Sequence, residues 1–228
     1  MTRTQLTRYT GLAALATGSV AILAILSLIV FYMFQAPQAF RDAEQGISGF
    51  YFFGFLNDLL TLVAALPLLA LVVSFYQLTR ERTAGIGIVA MLLGLIGASG
   101  IVATMTFFVF HVISLTQQAV FFIISFGPLG LWHITTNYYG RREQIVPLRL
   151  ARFGIVVGLG ELIAFIAFFL FGGLNLLNST DYQSLMTNYP LVIGIGIGGF
   201  LGYLGGPVWA VWLGRVFLSK RETGQSAI

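Results

Sequence analysis

The sequence predicts an all-α fold: an integral membrane bundle of six transmembrane helices, with both termini cytoplasmic. Three observations point there. Of 228 residues, 57% are hydrophobic and only 9% charged, whereas a soluble domain carries about 25% charged residues. Six apolar stretches alternate with short polar breaks, and each can supply the roughly 20 residues that a spanning helix needs. If the first stretch leaves the cytoplasm, Arg3, Arg8, Arg80, Arg82, Arg141, Arg142, Arg149, Arg152, Arg215, Lys220 and Arg221 all face inward, and only Arg41 lies outside. Basic loops resist translocation, so this asymmetry marks an oriented insertion.

The helices are expected near 9–35, 51–79, 84–113, 118–140, 150–172 and 190–218. The first follows Arg3 and Arg8 as a signal peptide would. Its run from Gly11 to Phe34 exceeds a signal core of about 7–15 residues, and no small-x-small cleavage site follows, so it is read as retained. Short inner loops at 80–83 and 141–149 make helices two and three, and four and five, antiparallel neighbours. The outer segments near 36–50 and 173–189 hold the polar punctuation: Pro37, Gly46 and Gly49 in one, Asn175, Asn178, Ser179, Thr180 and Asp181 in the other. Residues 1–228 are read as a single six-helix transmembrane domain, which places any function inside the bundle or on its short loops.

The net charge of +4 arises from the basic inner segments. That face suits anionic lipid headgroups. No basic surface larger than a loop exists, so nucleic acid is not an expected partner; other membrane subunits or a second copy of the chain are. With no cysteine there are no disulfides, thiolate metal sites or cysteine nucleophiles. Phe50, Tyr51, Phe52, Phe53, Tyr182 and Tyr189 gather at the outer boundary, and Trp132, Trp209 and Trp212 lie towards the inner one. They read as an aromatic belt at each interface.

Two spacings bear on packing. Each inward-running helix carries a mid-helix proline (Pro67, Pro128 and Pro207) thirteen residues before a basic residue, and the outward-running helices are read as lacking one. Three related hairpins with kinked second helices are one reading; the ordinary tolerance of membrane helices for proline is the other. Gly194, Gly198, Gly202 and Gly206 recur every four residues, and Gly154 and Gly158 make a shorter strip; Ala90, Gly94 and Ala98 make a weaker one. Strips of small residues let backbones approach and gain dispersion contact where no hydrophobic effect drives association. The partner can be a helix of the same chain, which is favoured, or a second subunit.

Glu161 is the main candidate for chemistry. Lying nine residues from Arg152, it is expected about 13.5 Å along its helix, near the midplane. An acid there costs on the order of 2.5–3.5 kcal/mol on insertion scales and usually faces the bundle. Gly154 and Gly158, seven and three residues earlier, share its face. His133 lies eight residues from Arg141, about 12 Å along its helix and so at a similar depth. Thr136 and Asn137 extend its face. The functional expectation is an acid–imidazole pair that takes up a proton or holds a polar ligand head. The alternative is a polar pair that only locks two helices, or a protonated Glu161 bonded to a carbonyl.

Other chemistries fail on geometry. His111 falls near the outer end of its helix and His133 towards the inner side, so one haem cannot use both; a single axial histidine to a haem or chlorin stays open, as does a bound lipophile. The only lysine, Lys220, lies at the inner end, which removes a buried Schiff base. No H-E-x-x-H or G-x-S-x-G motif occurs. Catalytic residues and metal ligands are therefore not expected. Asn57 and Asp58 read as a wetted helix start. Phe107, Phe108, Phe110, Phe121, Phe122, Phe165, Phe168 and Phe169 read as lipid-facing or packing residues.

Gly130-Leu-Trp132, the turn from Pro147 through Leu150-Ala-Arg-Phe-Gly-Ile-Val-Val-Gly158, and Pro207-Val-Trp-Ala-Val-Trp-Leu-Gly-Arg215 resemble an uncharacterised bacterial family of polytopic membrane proteins with about six transmembrane helices. Leu78 to Gly97 shows the likeness less clearly. The resemblance implies a bundle in a bacterial cytoplasmic membrane and brings no activity or site residues. The expected function is that of a membrane binding or accessory protein, open to being a subunit of a larger complex, with no recognisable catalytic constellation; an intramembrane enzyme is the third reading. A small proton-linked transporter or channel using Glu161 and His133 is the alternative.

Overall fold

A computed structural model of the chain describes residues 2–44, 51–174 and 188–219. These form helices and turns, with no strand among the described residues. The elements are α1 (Arg3–Val30), a π-helical turn (Phe31–Gln35), α2 (Ala36–Glu44), α3 (Phe52–Val109), α4 (Leu115–Arg142), α5 (Leu148–Leu170), α6 (Tyr189–Gly199), a second π-helical turn (Phe200–Leu204) and α7 (Gly205–Ser219). Six helices are long and apolar enough to cross a membrane. The protein is a multi-pass all-α bundle.

Local chemistry explains the starts and stops. Thr2 and Gln5 form a capping box on α1, and Ser114 and Gln117 form one on α4, each satisfying two otherwise unpaired backbone N–H groups. α3 stops at Val109 because His111 turns left-handed (φ 57°), letting Val112 N–H donate to the Phe107 carbonyl at 2.8 Å. Gln144 (φ 56°) closes α4 in the same way, with Ile145 N–H donating to the Gly140 carbonyl at 2.8 Å. The boundaries expected at 84–113 and 118–140 therefore move to 109 and 115–142.

The expected loop at 80–83 is not a loop. The backbone stays helical from Phe52 to Val109, yet a Cβ on Gly94 would lie 2.9 Å from Val72 Cγ1. A straight helix would separate those residues by about 33 Å, so the chain folds back on itself within the helical run. Thr79 donates to the Phe75 carbonyl and Thr83 to the Thr79 carbonyl, bonds that bend helices.

Pro37 was expected in an outer loop and is instead helical, inside α2. It follows the first π turn, and Pro207 follows the second. A proline cannot bond the carbonyl four residues back and crowds it. Those carbonyls, of Met33 and Tyr203, lie within the two π turns, where the wider coil accommodates them. The proline pattern therefore includes an outward-running helix. Gly46, Gly49, Asn175, Asn178, Ser179, Thr180, Asp181, Tyr182, Lys220 and Arg221 lie outside the described residues.

The spans pack antiparallel in a ring. Gly11 meets Phe217 and Gly18 meets Val211; Gly97 meets Leu129; Gly127 meets Phe165; Gly198 meets Ala164. Arg82 pairs with Glu143 at 3.5 Å, the rings of Phe75 and Phe217 stack at 6.3 Å, and Phe217 touches the first turns of α1. The two folded-back turns and both described termini thus share one end of the bundle, and Arg3, Arg8, Arg80, Arg82, Arg141, Arg142, Arg149, Arg152 and Arg215 with them.

α5 shows the two faces of a span. Val156, Leu159, Ile163 and Ile166 are exposed at helical spacing, while Gly154, Val157, Gly158, Glu161, Ala164 and Phe168 are buried. An apolar face that wide fits lipid, not water. The glycine strip on α6 and its continuation faces α5 of the same chain: a Cβ on Gly198 would lie 2.5 Å from the Gly160 carbonyl oxygen, and one on Gly202 2.6 Å from Glu161 Cγ. Gly194 opposes Ala167, whereas Gly206 is loose, with Val157 Cγ1 at 3.9 Å.

Candidate functional site

His133 and Glu161 meet. His133 Nδ1 lies 2.7 Å from Glu161 Oε2, and the residues are 4% and 2% exposed. Glycines make the room. A Cβ on Gly130 would sit 3.1 Å from Glu161 Cβ, and one on Gly158 would sit 2.9 Å from His133 Cβ. Gly202 clears the third side, towards the second π turn. The contact is a charge-assisted hydrogen bond when the Glu161 carboxyl is ionised and accepts from the imidazole N–H, which roughly doubles its strength over a neutral one.

Thr136 and Asn137 spend their hydrogen bonds on groups other than the carboxyl. Thr136 donates to the Trp132 carbonyl at 2.6 Å. Asn137 donates to the His133 carbonyl at 2.8 Å and accepts from Trp209 Nε1 at 3.0 Å, while its amide occupies the space left by Gly154. Both residues shape the backbone and floor under His133.

Trp132 and Trp209 are each 1% exposed, which overturns their assignment to an interfacial belt. Their rings lie 4.7 Å and 4.8 Å from the His133 ring, and 5.9 Å from each other. Trp212 alone of the three is exposed. Nearer the arginine end, Phe75, Leu150 and Leu213 are fully buried and close that end with an apolar plug, while Leu71, also fully buried, lies level with the indoles. Phe168 is buried, whereas Phe107, Phe110, Phe121 and Phe169 are exposed.

The pair, with Trp209 beside it, lines a cavity of about 100 Å³ between the spans. Its wall is mostly apolar, alanine and aliphatic side chains with Phe122 and Phe126, interrupted by Thr17, Thr61, Tyr203 and the pair itself. Thr17 Oγ1 is buried without a hydrogen-bond partner, the one such side-chain atom among the described residues. Ser27, Thr61, Ser125 and other hydroxyls in the spans bond a carbonyl one turn back. An unsatisfied buried hydroxyl costs about 1–3 kcal/mol. Glu161 Oε1 and His133 Nε2 also make no hydrogen bond among the described residues.

Tyr203 reaches away from the arginine end: its hydroxyl donates to Asn57 Oδ1 at 3.2 Å, and Asn57 Nδ2 donates to Asp58 Oδ1 at 3.0 Å. Asn57 is buried, so only Asp58 fits the expected wetted helix start. Thr17 and Tyr203 were not singled out by sequence. The small residues Ala13, Ala14, Thr17, Gly18, Ala21 and Ala24 sharing one face of α1 were the available signal. His111 is an exposed turn residue, remote from the pair.

No family model, no curated protein and no solved structure matches the chain.

Proposed function

We propose that the protein is a binding protein of a bacterial cytoplasmic membrane, with both termini inside, that holds a small lipophilic molecule by its polar head and serves a larger membrane complex. The observation that carries this reading is a buried acid–imidazole pair on the wall of an otherwise apolar cavity. Apolar walls with a few convergent polar groups are the usual form of a small-molecule site. A cavity of about 100 Å³ takes a head group or a short molecule, because sites for drug-sized ligands run to roughly 300–1,000 Å³.

Mass spectrometry of the lipophilic extract tests the proposal. The purified wild-type protein should carry a component that the Glu161→Gln, His133→Ala double variant lacks. Identical extracts from the two would contradict it.

One observation favours a second reading, a small proton-linked transporter. The second π turn, which clusters with functional sites in other helices, lies against Glu161 and ahead of Pro207. Proton-dependent uptake into vesicles would then replace stable binding.

A further inference from the structure

The surroundings of the His133–Glu161 pair differ on its two sides. Trp132 and Trp209 flank the His133 ring, and Phe75, Leu150 and Leu213 lie nearer the arginine end, all 1% exposed or less. The polar groups there are already used: the Trp209 indole N–H goes to Asn137, and the Asn137 amide to a backbone carbonyl. A space of about 10 Å³ on that side touches Trp132 and Thr136 but neither member of the pair, and the Thr79, Thr83 and Thr136 hydroxyls lining it donate to carbonyls of their own helices.

Towards the other end the arrangement reverses. The pair opens on the cavity, where the Thr17 hydroxyl has no partner. A cavity of about 100 Å³ has room for about three waters at roughly 30 Å³ each, and a buried water needs two to four polar partners. Thr17 Oγ1, Glu161 Oε1 and His133 Nε2 supply three, and the Tyr203 hydroxyl lines the same space. Tyr203 is held by Asn57, and Asn57 by Asp58, at the end remote from the arginines.

We infer that the cavity is a hydrated half-channel giving the His133–Glu161 pair proton access from the Asp58 end of the bundle only, by way of Tyr203 and Thr17. The step is proton transfer alone. A hydronium ion at the Asp58 end gives up its proton, each hydroxyl and water passes one on, and the pair gains one positive charge. The polar groups that share the cavity with the pair are few. The second π turn supplies Tyr203, α7 supplies Trp209, the first arm of α3 supplies Thr61 and, behind Tyr203 through Asn57, Asp58, and α1 supplies only the uncharged Thr17. The second arm of α3 contributes Ile101 to the wall.

The inference shares the pair with the proposed binding function but concerns its access, and the two are read by different measurements. The test uses full-length protein inserted in one orientation into lipid vesicles. Protonation of Glu161 is read from its carboxylic acid infrared band, identified by its loss in Glu161→Gln. A pH jump on the Asp58 side should change the band faster than the same jump on the arginine side, by at least roughly tenfold, a barrier difference of about 1.4 kcal/mol. Tyr203→Phe should slow the fast response, and so should Thr17→Val, which keeps the shape of the side chain. Thr17→Ser should retain the wild-type rate. Equal rates from both sides, or unchanged rates in both slow-predicted variants, would overturn the inference. A carboxyl that never changes protonation would also overturn it, while leaving the binding reading intact, because a permanently neutral pair can still hold a ligand hydroxyl.

Discussion

Gly202 stands against Glu161 so closely that a Cβ on the glycine would lie 2.6 Å from the glutamate Cγ. The side chain that carries the candidate chemistry is seated by a residue that has none. Gly202→Ala should therefore push Glu161 off His133 and cost about 1–3 kcal/mol, the usual range for overpacking. Gly196→Ala, on the same span with nothing within 4 Å, should be neutral or stabilising by up to about 1 kcal/mol through helix propensity. Thermal unfolding in detergent micelles checks both. Equal effects at the two positions would remove glycine packing as the explanation.

The acid and the imidazole should be coupled energetically. Removing one partner of a buried pair leaves the other uncompensated, at about 3–5 kcal/mol in soluble proteins, although polar pairs in membranes average nearer 0.6 kcal/mol. His133→Ala is expected to destabilise more than the His133→Ala, Glu161→Gln double variant. A double-mutant cycle gives the coupling, and strict additivity would contradict the hydrogen bond.

Trp209→Phe keeps the ring but loses the N–H that reaches Asn137 at 3.0 Å. The expected cost is about 1–2 kcal/mol, because a buried acceptor loses its donor. Trp212→Phe, on the exposed side, should change stability by less than about 0.5 kcal/mol. The contrast is the result to measure, since an interfacial belt would make the two alike.

Gly198→Leu separates intrachain from intersubunit packing. Gly198 lies against Gly160 and Ala164 of the same chain, so the variant should lose folded monomer in size-exclusion chromatography. Folded but dissociated subunits would place the glycine strip at an oligomer interface instead.

The spans were legible because each is set by about 20 local residues, and the shared depth of His133 and Glu161 followed from counting to Arg141 and Arg152. The fold-back inside α3 was not legible. Arg80, Glu81 and Arg82 look like a loop by polarity, yet they sit on a helical turn whose reversal is revealed by the approach of Val72 to Gly94 and of Tyr76 to Gly87. The rotation of each helix about its axis was also hidden. Trp209 and Trp212 are three residues apart, and one is core while the other is exposed. Thr17 and Tyr203 join one cavity only when helices at the two ends of the chain are brought side by side.

The most direct measurement is a nitrogen–carbon dipolar distance by solid-state NMR, on full-length protein in lipid bilayers labelled with ¹⁵N-histidine and with ¹³C at the glutamate carboxyl. The chain has two histidines, and exposed His111 serves as the internal control. One histidine nitrogen should be dephased by a glutamate carboxyl at hydrogen-bonding range, and Glu161→Gln should abolish the effect. If neither histidine is dephased in the wild type, the buried pair does not exist in the membrane, and the proposed site falls with it.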